Sequence, residues 1–534
     1  MQIDNTSKEI EVLIVGAGPA GLMMACQLAR HHIRFRIIDK KEHPTNYSGA
    51  LIMQAGSVEI LHQMGIAHKV IQEGIIANNI CILYNGKHLV KIPVKNIGSG
   101  LTPFPYLLMV AQSKTEQLLT DVINDHGFRI ERRTELVDFT QNNAGVTAQI
   151  KSLDGKAETI KTQYLIAADG GQSTIRKQLN IPFIGKSHQK SLFIMDCKAR
   201  TDLLSDEIYF SLSNKTISGF FPLVNGKWRI DGTIPKVLES KGTLTFDDVE
   251  KHFSERIRMN MRLYNPDWFS VFHSHQHCAS SFQENRCFLI GDAAHIHSPV
   301  GAQGMNTGLQ DAFNLGWKLA FVIRGKAKPG LLKTYTMERL PIAKNILRTT
   351  DHVFNLATSD HLLTKTFRLY FLPLMFKSLF PIIGNRNWIR QYFFKSISEI
   401  GIHYRKSVLS HHASKAISLF QTPRPGDRLP YILFNDNGSE VNIQEKVKGT
   451  GFHLFIFTRD LPDEGIIDVA KKYHNIITFE IIFFSSKNIL LFKRFGIKKN
   501  GCYLIRPDLH IAFQSNNSQA KELESYLQHF FGLR

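Results

Sequence analysis

The segment EVLIVGAGPAGLMMACQLARHHIRFRIIDK, residues 11–40, constrains the fold more than any other part of the chain. A buried strand over Val12–Val15 runs directly into three glycines, after which apolar residues recur at helical spacing. A second apolar strand, Phe35–Ile38, ends in Asp39. This order of strand, turn, helix and strand predicts a Rossmann-like unit of an α/β protein. The glycines and the proline argue against a membrane span, despite an uncharged run long enough to suggest one.

Each glycine of the motif Gly16-x-Gly18-x-x-Gly21 has a predicted task. Gly16 permits a tight turn, Gly18 lets a pyrophosphate approach the backbone, and Gly21 lets the helix pack closely on the strand. The helix N-terminus attracts an anion, and Asp39 accepts hydrogen bonds from an adenosine ribose. An ordinary glycine turn is the alternative, and the motif alone fits FAD and NAD equally. The predicted nucleotide-binding residues here are Gly16, Gly18, Pro19, Ala20, Gly21, Asp39 and Lys40.

A second motif, YLIAADGGQSTIRKQL, occupies residues 164–179. It predicts another strand, Tyr164–Ala168, which ends at Asp169-Gly170 and is followed by a polar turn and Arg176. The plain alternative is a strand-to-helix turn in which Asp169 caps the helix.

The third motif, IGDAAHIHSPVGAQGMNTGLQDAFNLGWKLA, occupies residues 290–320. It predicts a strand over Cys287–Ile290, a glycine-rich turn, and a helix whose apolar stripe is core. The N-terminus of that helix, near Asn306–Gly308, is then free to face a ligand. His295 and His297 have no third or fourth ligand at recognisable spacing, so no metal site is predicted and both are interpreted as bracing the loop.

The three motifs, in this order, resemble the class A flavin-dependent aromatic hydroxylases, which include the phenol and p-hydroxybenzoate hydroxylases. The block YTMERLPIAKNIL (335–347) also resembles that family. The resemblance implies FAD as cofactor, NADPH or NADH as reductant, dioxygen as co-substrate, and a small phenolic or polycyclic aromatic substrate. It implies monooxygenation through a flavin hydroperoxide. A flavin oxidase or dehydrogenase on the same scaffold is one alternative, and a degenerate FAD-binding, membrane-associated protein is another.

The resemblance also implies roles for particular residues. Asp292 would bind the ribityl chain, and the turn at 301–308 would pass the isoalloxazine ring. Asp169 would lie near the ribose and the nicotinamide route, and Gln112 matches a glutamine that touches FAD. The only implied catalytic feature is backbone around Pro299, and the catalytic base is unknown. The cofactor-binding residues implied in this way are Gln112, Asp169, Gly291, Asp292, Pro299, Gly304, Met305 and Asn306.

The chain departs from this family at two positions. Relatives commonly carry arginine where this sequence has Gly49 and Gly56. Loss of a charge-assisted phosphate contact costs about 1–3 kcal/mol unless another cation replaces it. Lys40, Lys41 and Arg36 are the candidates for that replacement.

The resemblance predicts a Rossmann-like FAD-binding domain, an inserted mixed-sheet substrate domain and a C-terminal thioredoxin-like domain. The FAD-binding parts are 1–75, 110–185 and 280–349, and the substrate domain is 76–109 and 186–279. A helical segment and linker cover 350–424, and the C-terminal domain covers 425–534. The C-terminal domain contains no CxxC, which excludes redox exchange there. Apolar candidates for the pocket wall are Phe104, Tyr106, Phe220 and Phe221, and for each of them a place in the core is the alternative.

Charge and cysteine content restrict the partners and the compartment. The net charge is +19, yet no nucleic-acid-binding motif is present, so no nucleic-acid partner is predicted. Between Lys365 and Lys406 there are eight Lys or Arg residues and one acid. This apolar, basic stretch predicts peripheral contact with an anionic membrane, packing on the body of the protein, or a homodimer contact. The six scattered cysteines are typical of a reducing compartment, which predicts a cytoplasmic protein.

Overall fold

The computed structural model describes residues 10–44, 49–212, 217–234, 236–238, 243–257, 259–298, 303–359, 361–367, 371, 374, 378, 386–413, 422–436, 438–516 and 519–532. Among these residues, no helix combines the length and the apolar character that crossing a bilayer requires. Pro299, which the sequence analysis places near the flavin ring, lies outside the described residues.

The strands, in chain order, are β1 Ile10–Val15, β2 Phe35–Asp39, β3 Ile52–Met53, β4 Ile75–Ile76, β5 Asn79–Tyr84, β6 Lys87–Pro93, β7 Leu108–Met109, β8 Ile130–Arg132, β9 Thr134–Gln141, β10 Val146–Ser152, β11 Ala157–Ala167, β12 Phe183–Thr201, β13 Glu207–Leu212, β14 Ile217–Leu223, β15 Lys227–Thr233, β16 Met261–Ala279, β17 Gln283–Glu284, β18 Cys287–Leu289, β19 His295–Ile296, β20 His411–His412, β21 Leu433–Asp436, β22 Ser439–Asn442, β23 Phe452–Thr458, β24 Ile477–Phe483, β25 Gly501–Ile505 and β26 Ile511–Ser515.

The helices are α1 Pro19–Arg30, α2 Ala55–Gln63, α3 Ala67–Gln72, α4 Gln112–Asp125, α5 Thr174–Gln178, α6 Phe246–Ile257, α7 Gly304–Ile323, α8 Lys333–Thr358, α9 Leu362–Thr366, α10 Asn387–Ile397, α11 Ile443–Lys446, α12 Glu464–Lys472, α13 Ile489–Phe495 and α14 Ala520–Phe530.

The first sheet has the strand order β17-β18-β11-β1-β2-β8, with β10 and β9 continuing from β11. Strands β18, β11, β1, β2 and β8 run parallel, because helices and longer crossovers connect them. Parallel strands are covered on both faces, and the buried run Val12–Ile14 of β1 shows this, with no exposed side chain. The predicted α/β unit at the start of the chain is confirmed.

The second sheet has the order β19-β16-β12-β15-β14-β13-β5-β6. Its long strands β12 and β16 are antiparallel, and alternate residues point to opposite faces. One face packs on α6, where Phe193, Phe220 and Trp228 join Phe253 in a separate core. Phe220 was a candidate for the pocket wall or for the core, and the structure places it in this core, with its ring 5.9 Å from that of Phe253 on α6. Phe221 points the other way and joins the main core.

The C-terminal sheet has the order β20-β26-β25-β23-β24. Strand β23 is parallel to β24 and antiparallel to β25. Its core residues contact Trp317 and Phe321 of α7, so α7 lies between this sheet and the first one. The division of the chain into domains at the stated boundaries, and the thioredoxin-like character of this part, stay predictions.

Helix α7 differs from its predicted form in two ways. It begins at Gly304, so Asn306–Gly308 are inside the first turns and buried. It is buried on every side from Asn306 to Phe321, rather than along one stripe, because the C-terminal sheet covers the face that would otherwise meet water.

The segment 422–434, where the linker is predicted to lead into the C-terminal domain, is also bonded to the body. The Arg428 guanidinium donates to the Glu59 carboxylate at 2.8 and 2.9 Å and to the Leu101 carbonyl at 2.8 Å. Gly426 donates its backbone N–H to Ile511 of β26. This segment therefore fastens the C-terminal sheet to the rest of the chain.

Candidate active site

The three sequence motifs meet at one edge of the first sheet. Strands β18, β11, β1 and β2 are neighbours in that order and parallel, so their carboxyl ends lie side by side. Those ends lead into Asp292, Asp169, the Gly16–Gly21 turn and Asp39. Adjacent strands are about 4.8 Å apart, so the three aspartates lie along one edge of the sheet, which is here called the candidate cofactor cleft. In open α/β sheets, ligands bind at this carboxyl edge.

Gly16 and Gly21 are required by close packing. Gly16 has a φ of +105°, and a β-carbon there would lie 2.2 Å from the Ala168 carbonyl oxygen. A β-carbon at Gly21 would lie 2.0 Å from the Gly16 carbonyl oxygen. Both clashes are with backbone, so no side-chain movement relieves them. The first motif is thus held directly against the end of β11.

Gly18 stands in a different environment from the other two glycines. A β-carbon added there meets no atom within 4 Å, so its position is open. Gly18 is the N-cap of α1, has an extended backbone, and is followed by Pro19 at the first helical position. The first-turn N–H groups of such a helix lack intrahelical partners and attract anions.

Asp39 is bonded to the glycine turn itself. Its carboxylate accepts the Ala17 N–H at 2.7 Å and the Lys41 N–H at 2.8 Å. Lys40 is exposed beside it. Arg36 does not replace a missing phosphate contact, because it is paired with Glu131 at 2.6 Å and Glu158 at 2.5 Å.

Asp169 caps a helix with one carboxylate oxygen and leaves the other without a partner among the described residues. Its Oδ2 accepts the N–H groups of Thr174 at 2.8 Å and Ile175 at 3.3 Å, so it does cap α5 together with Ser173. Its Oδ1 is buried and has no hydrogen-bond partner among the described residues. Burial raises the pKa of this carboxyl. A buried oxygen without a partner is costly unless a ligand supplies a donor.

The third motif packs against the first through its smallest residues. Gly291 has a φ of +56°, and a β-carbon there would lie 2.9 Å from the Ala20 β-carbon. A β-carbon at Gly308 would lie 3.3 Å from the same atom. Arg176 joins the second motif to the third by donating to the Ala293 carbonyl at 2.8 Å.

Asp292 and the start of α7 face the cleft. The Asp292 side chain is exposed, yet the protein around it desolvates its carboxyl and raises its pKa. Gly304, the first residue of α7, has open space where a side chain would stand, and Met305 is half-buried against the main core. A helix N-terminus beside the cleft favours negative charge there.

Asn306 and Gln112 were predicted to touch the cofactor, and both hold the segment 50–54. The Asn306 amide donates to the Ile52 carbonyl and accepts the Gln54 N–H, each at 2.9 Å. Gln112 accepts the Ala50 N–H at 3.0 Å and donates to Glu116 at 2.8 Å. The structure therefore shows positioning of this segment, and direct contact with a cofactor stays a prediction.

Comparison with known proteins agrees with this geometry. The family model described as FAD binding domain matches residues 9–350. A flavin-dependent monooxygenase of Mycobacteroides abscessus is 32% identical over 84% of this chain and 89% of its own length. The chain belongs to this family of FAD-binding monooxygenases. The resemblance identified from the sequence, with FAD as cofactor, is confirmed.

Two further relatives extend over nearly the whole flavoprotein. A 6-methylpretetramide 4-monooxygenase of Streptomyces rimosus is 28% identical over 97% of this chain and 93% of its own length. The solved structure of the OxyS anhydrotetracycline hydroxylase from Streptomyces rimosus is 26% identical, with a TM-score of 0.77, and covers 98% of this chain and 100% of that one. The C-terminal sheet therefore has a counterpart in these proteins.

The cleft of the flavoprotein fits FAD by its own features. It offers an open position at Gly18, an unpartnered buried oxygen on Asp169, and an exposed carboxylate at Asp292. These are spread along the carboxyl edge from β1 to β18, which suits an elongated dinucleotide.

His295 and His297 form a hydrogen-bonded row under the third motif of the flavoprotein. Asp311 lies 2.6 Å from His295 Nε2 and accepts Arg339 Nε at 2.7 Å, and His295 Nδ1 lies 2.8 Å from His297 Nε2. Among the described residues, no cluster of three or more His, Cys, Asp or Glu side chains could hold a metal ion. The histidines join the loop to α7 and α8, which is the bracing that the sequence analysis inferred.

The space near Gly56 holds a residue that the sequence analysis missed. A β-carbon at Gly56 would lie 3.1 Å from Gln310 Nε2 and 3.2 Å from the Ser398 carbonyl oxygen, which leaves little space for an arginine. The next residue, Glu399, is buried with a left-handed φ of +60°. Burial raises the pKa of Glu399 to about 8, which the Arg339 charge only partly opposes.

The hydrogen bonds around Glu399 agree with a protonated carboxyl. Thr307 Oγ1 lies 2.9 Å from the Gln303 carbonyl and 3.0 Å from Glu399 Oε1, and one hydroxyl hydrogen cannot serve both. A protonated Glu399 donates to Thr307, which then donates to Gln303. No sequence motif marks this position. Only its place in a basic, otherwise acid-free stretch is unusual.

We expect Glu399→Gln to stabilise the flavoprotein at alkaline pH. The folded-state pKa of about 8 exceeds the ordinary value of 4.5, so the native state loses stability as pH rises from the lower value to the higher one. Glutamine resembles the protonated form and avoids that loss. Melting temperatures above pH 8 should therefore exceed those of the parent, with no gain below pH 4.5. The exposed Glu440→Gln serves as control. Equal gains at both extremes would contradict the assignment.

A second missed group lies on the second sheet. Trp228 and Ile230 of β15 point towards α6, so Arg229 and Asp231 point to the opposite face. Arg229 pairs with Asp196 at 2.7 Å and reaches the Ala50 carbonyl at 3.3 Å, which places this face over the segment 50–54.

Asp231 is the acidic group on this face. Its Oδ1 accepts the Gly219 N–H at 3.0 Å. Burial raises the pKa of its carboxyl to about 6. The sequence feature that could have identified Asp231 is an acidic residue inside a strand, on the face opposite to Trp228 and Ile230.

Proposed function

We propose that this monooxygenase hydroxylates a fused-ring phenolic compound, with a nicotinamide dinucleotide as reductant. The observation that carries the proposal is the convergence of three motifs at the carboxyl ends of β18, β11, β1 and β2. The face of the second sheet that bears Asp231 reaches the segment 50–54 through Arg229. The relatives named for tetracycline-type monooxygenation extend over nearly the whole chain, which supports a polycyclic substrate rather than a small phenol.

We assign the cofactor contacts along this edge. Gly18 and the N-terminus of α1, with Pro19 and Ala20, would hold the pyrophosphate, and Asp39 the adenosine ribose. Asp169 Oδ1 would accept a hydrogen bond from a hydroxyl group of the cofactor or of the nicotinamide dinucleotide. Asp292 would bind the ribityl chain. The N-terminus of α7 at Gly304 would face the pyrimidine edge of the flavin. Bound FAD supplies the oxygen-activating chemistry.

Asp231 would act as the proton acceptor for the substrate. A phenol is a much better nucleophile as its phenolate, so a carboxylate positioned to take the hydroxyl proton assists the reaction. The Asp231 carboxylate occupies the place that a side chain at Gly219 would take, since a β-carbon there would lie 2.5 Å from Asp231 Oδ1. The Gly219 N–H donates a hydrogen bond to the carboxylate and orients it. Arg229, held by Asp196, adds positive charge that stabilises the developing phenolate.

The proposed activity is tested by a screen of phenols and fused-ring phenols for faster NAD(P)H oxidation by the FAD-loaded protein. We expect a fused-ring phenol to accelerate oxidation and to yield a product heavier by one oxygen atom. Dioxygen labelled with the heavy isotope separates the alternatives, since label enters the product of a monooxygenase and not of an oxidase or dehydrogenase. FAD-loaded protein that no aromatic compound accelerates would overturn the proposal.

Replacement of Asp231 tests its role separately. We expect Asp231→Asn to lower kcat by about 10²–10⁴-fold with little change in FAD binding. In the parent, kcat/KM should rise with pH through about 6 and then level off, because the acting form is deprotonated. The exposed Asp267→Asn on the same sheet, which loses only a pair to Lys227 at 2.7 Å, is the matched control. An unchanged pH profile in the Asp231 variant would contradict the role.

We place the protein in the cytoplasm. All six cysteines are free and buried, as expected in a reducing compartment. The predicted contact of 365–406 with a membrane or a second copy concerns a surface outside the cleft.

A further inference from the structure

Helix α10 carries a group of exposed aromatic side chains. Trp388 is 67% exposed, Tyr392 74% and Phe393 41%. The helix is fastened by Phe394, which is fully buried against Gly98. Soluble proteins seldom leave three large aromatic residues in contact with water on one short helix.

Cations accompany these rings. At 100° per residue, Trp388, Tyr392 and Lys395 share one side of α10. Arg386 precedes the helix and is exposed, as is Lys395. Arg386, Trp388, Tyr392, Phe393 and Lys395 are here called the basic aromatic face. Burial lowers the pKa of Lys395, and repulsion from the nearby Arg494 and Arg428 lowers it further.

The sequence around this face contains no exposed acid up to Glu399, which is buried. Residues 361–398 include six Lys or Arg residues and no Asp or Glu. Upstream in the same stretch, the described residues Leu363, Phe371 and Leu374 are exposed by 74%, 57% and 61%. The whole chain carries a net charge of +19.

We propose that the basic aromatic face docks on an anionic lipid bilayer. Tryptophan and tyrosine rings are favoured at the level of lipid headgroups, where one end of the ring is apolar and the other is wet. Lysine and arginine beside them meet the lipid phosphates, each with a favourable free energy near an anionic surface. A helix lying in the interface with this composition is a recognised mode of peripheral binding.

Charge favours a bilayer over a second copy of the chain. Two copies that met through this face would bring Arg386 and Lys395 of each together. No acid in 361–398 could pair with them, so the contact would be repulsive. The inference does not depend on the proposed substrate, and its test uses no substrate.

The test uses the FAD-loaded protein with vesicles of phosphatidylcholine, with and without phosphatidylglycerol. We expect the protein to sediment with the anionic vesicles and not with the neutral ones, and to be released by high salt. Trp388 gives a direct optical readout, because Trp228 and Trp317 are only 4% and 2% exposed and Trp268 is half-buried. Its emission should shift to shorter wavelength when anionic vesicles are added.

Four variants locate the contact. Trp388→Phe should keep binding and lose most of the emission shift. The double change Trp388→Ala with Tyr392→Ala should weaken partitioning, and Arg386→Glu with Lys395→Glu should weaken it by about tenfold or more. Leu461→Ala, at an 82% exposed leucine in another part of the chain, should bind like the parent. Flavin absorbance and the melting temperature report whether each variant is folded.

Three outcomes would overturn the proposal. The first is parent protein that stays in solution with anionic vesicles. The second is folded alanine and charge-reversal variants that partition as the parent does. The third is a parent that is dimeric without lipid and an alanine variant that is monomeric, which would assign the face to a second copy.

Discussion

Gly21→Ala is expected to leave little folded flavoprotein. The added β-carbon would lie 2.0 Å from the Gly16 carbonyl oxygen, and that backbone is itself fixed against Ala168 at the end of β11. Relief requires α1 to move away from the sheet that it covers, at a cost of about 3 kcal/mol or more. The yield of yellow soluble protein and its melting temperature measure the effect. A Gly21→Ala variant that melts at the same temperature as the parent would contradict the close packing of Gly21 on Gly16.

Gly18→Ala is the matched comparison, three residues before Gly21. Its β-carbon meets nothing within 4 Å and its backbone is extended, so the apoprotein should melt near the parent temperature. FAD affinity should nevertheless fall by on the order of tenfold, or about 1.4 kcal/mol, because the methyl group occupies the approach of the pyrophosphate. Unchanged FAD affinity would place the pyrophosphate elsewhere.

Glu338→Gln should strongly destabilise the contact between the FAD-binding part of the chain and its C-terminal part. Glu338 on α8 pairs with Lys318 of α7 at 2.7 Å and with Arg506 at 2.6 Å, and all three side chains are buried. Burial alone would raise the pKa of Glu338, but the two cations hold it low. Removing the carboxylate leaves the buried Lys318 without an ion-pair partner, whereas Arg506 keeps its pair with Asp508 at 2.5 Å. Breaking a buried ion pair in this way costs about 3–5 kcal/mol.

The pH dependence of that variant distinguishes lost charge from lost packing. Burial already lowers the pKa of Lys318 to about 8, and Glu338 opposes this shift. Without Glu338, Lys318 should release its proton more readily, so the destabilisation should shrink as pH rises above neutrality. Glu73→Gln removes a half-exposed partner of Lys114 at 3.1 Å and should change the melting temperature little. Equal melting temperatures for both variants would contradict the assignment.

The nucleotide edge could be predicted from the sequence because its physics is local. Gly16, Gly18 and Gly21 have distinct tasks that spacing alone reveals, and the structure shows two tight positions and one open one. The cofactor roles of Asp39, Asp169 and Asp292 stay predictions, although the strand order brings them to one cleft.

Other features depend on contacts between distant segments. Arg36 looked available to a phosphate, but Glu131 and Glu158 approach it from β8 and β11. Glu399 lies 89 residues from Gln310, which donates to it at 2.7 Å. The role proposed for Asp231 depends on the contact of β15 with the segment near Ala50, through Arg229. A local sequence pattern does not predict contacts between residues that are this far apart in the chain.

The burial of α7 on all sides has a consequence for dissecting this enzyme. The family match ends at residue 350, which invites expression of that portion as an autonomous module. Such a truncation would strip the C-terminal sheet from Trp317 and Phe321 and leave Lys318 and Glu338 without Arg506. In the excised fragment, the apolar side of α7 would be exposed to water on a helix whose N-terminus we assign to the FAD site. We expect the fragment to aggregate rather than to bind cofactor.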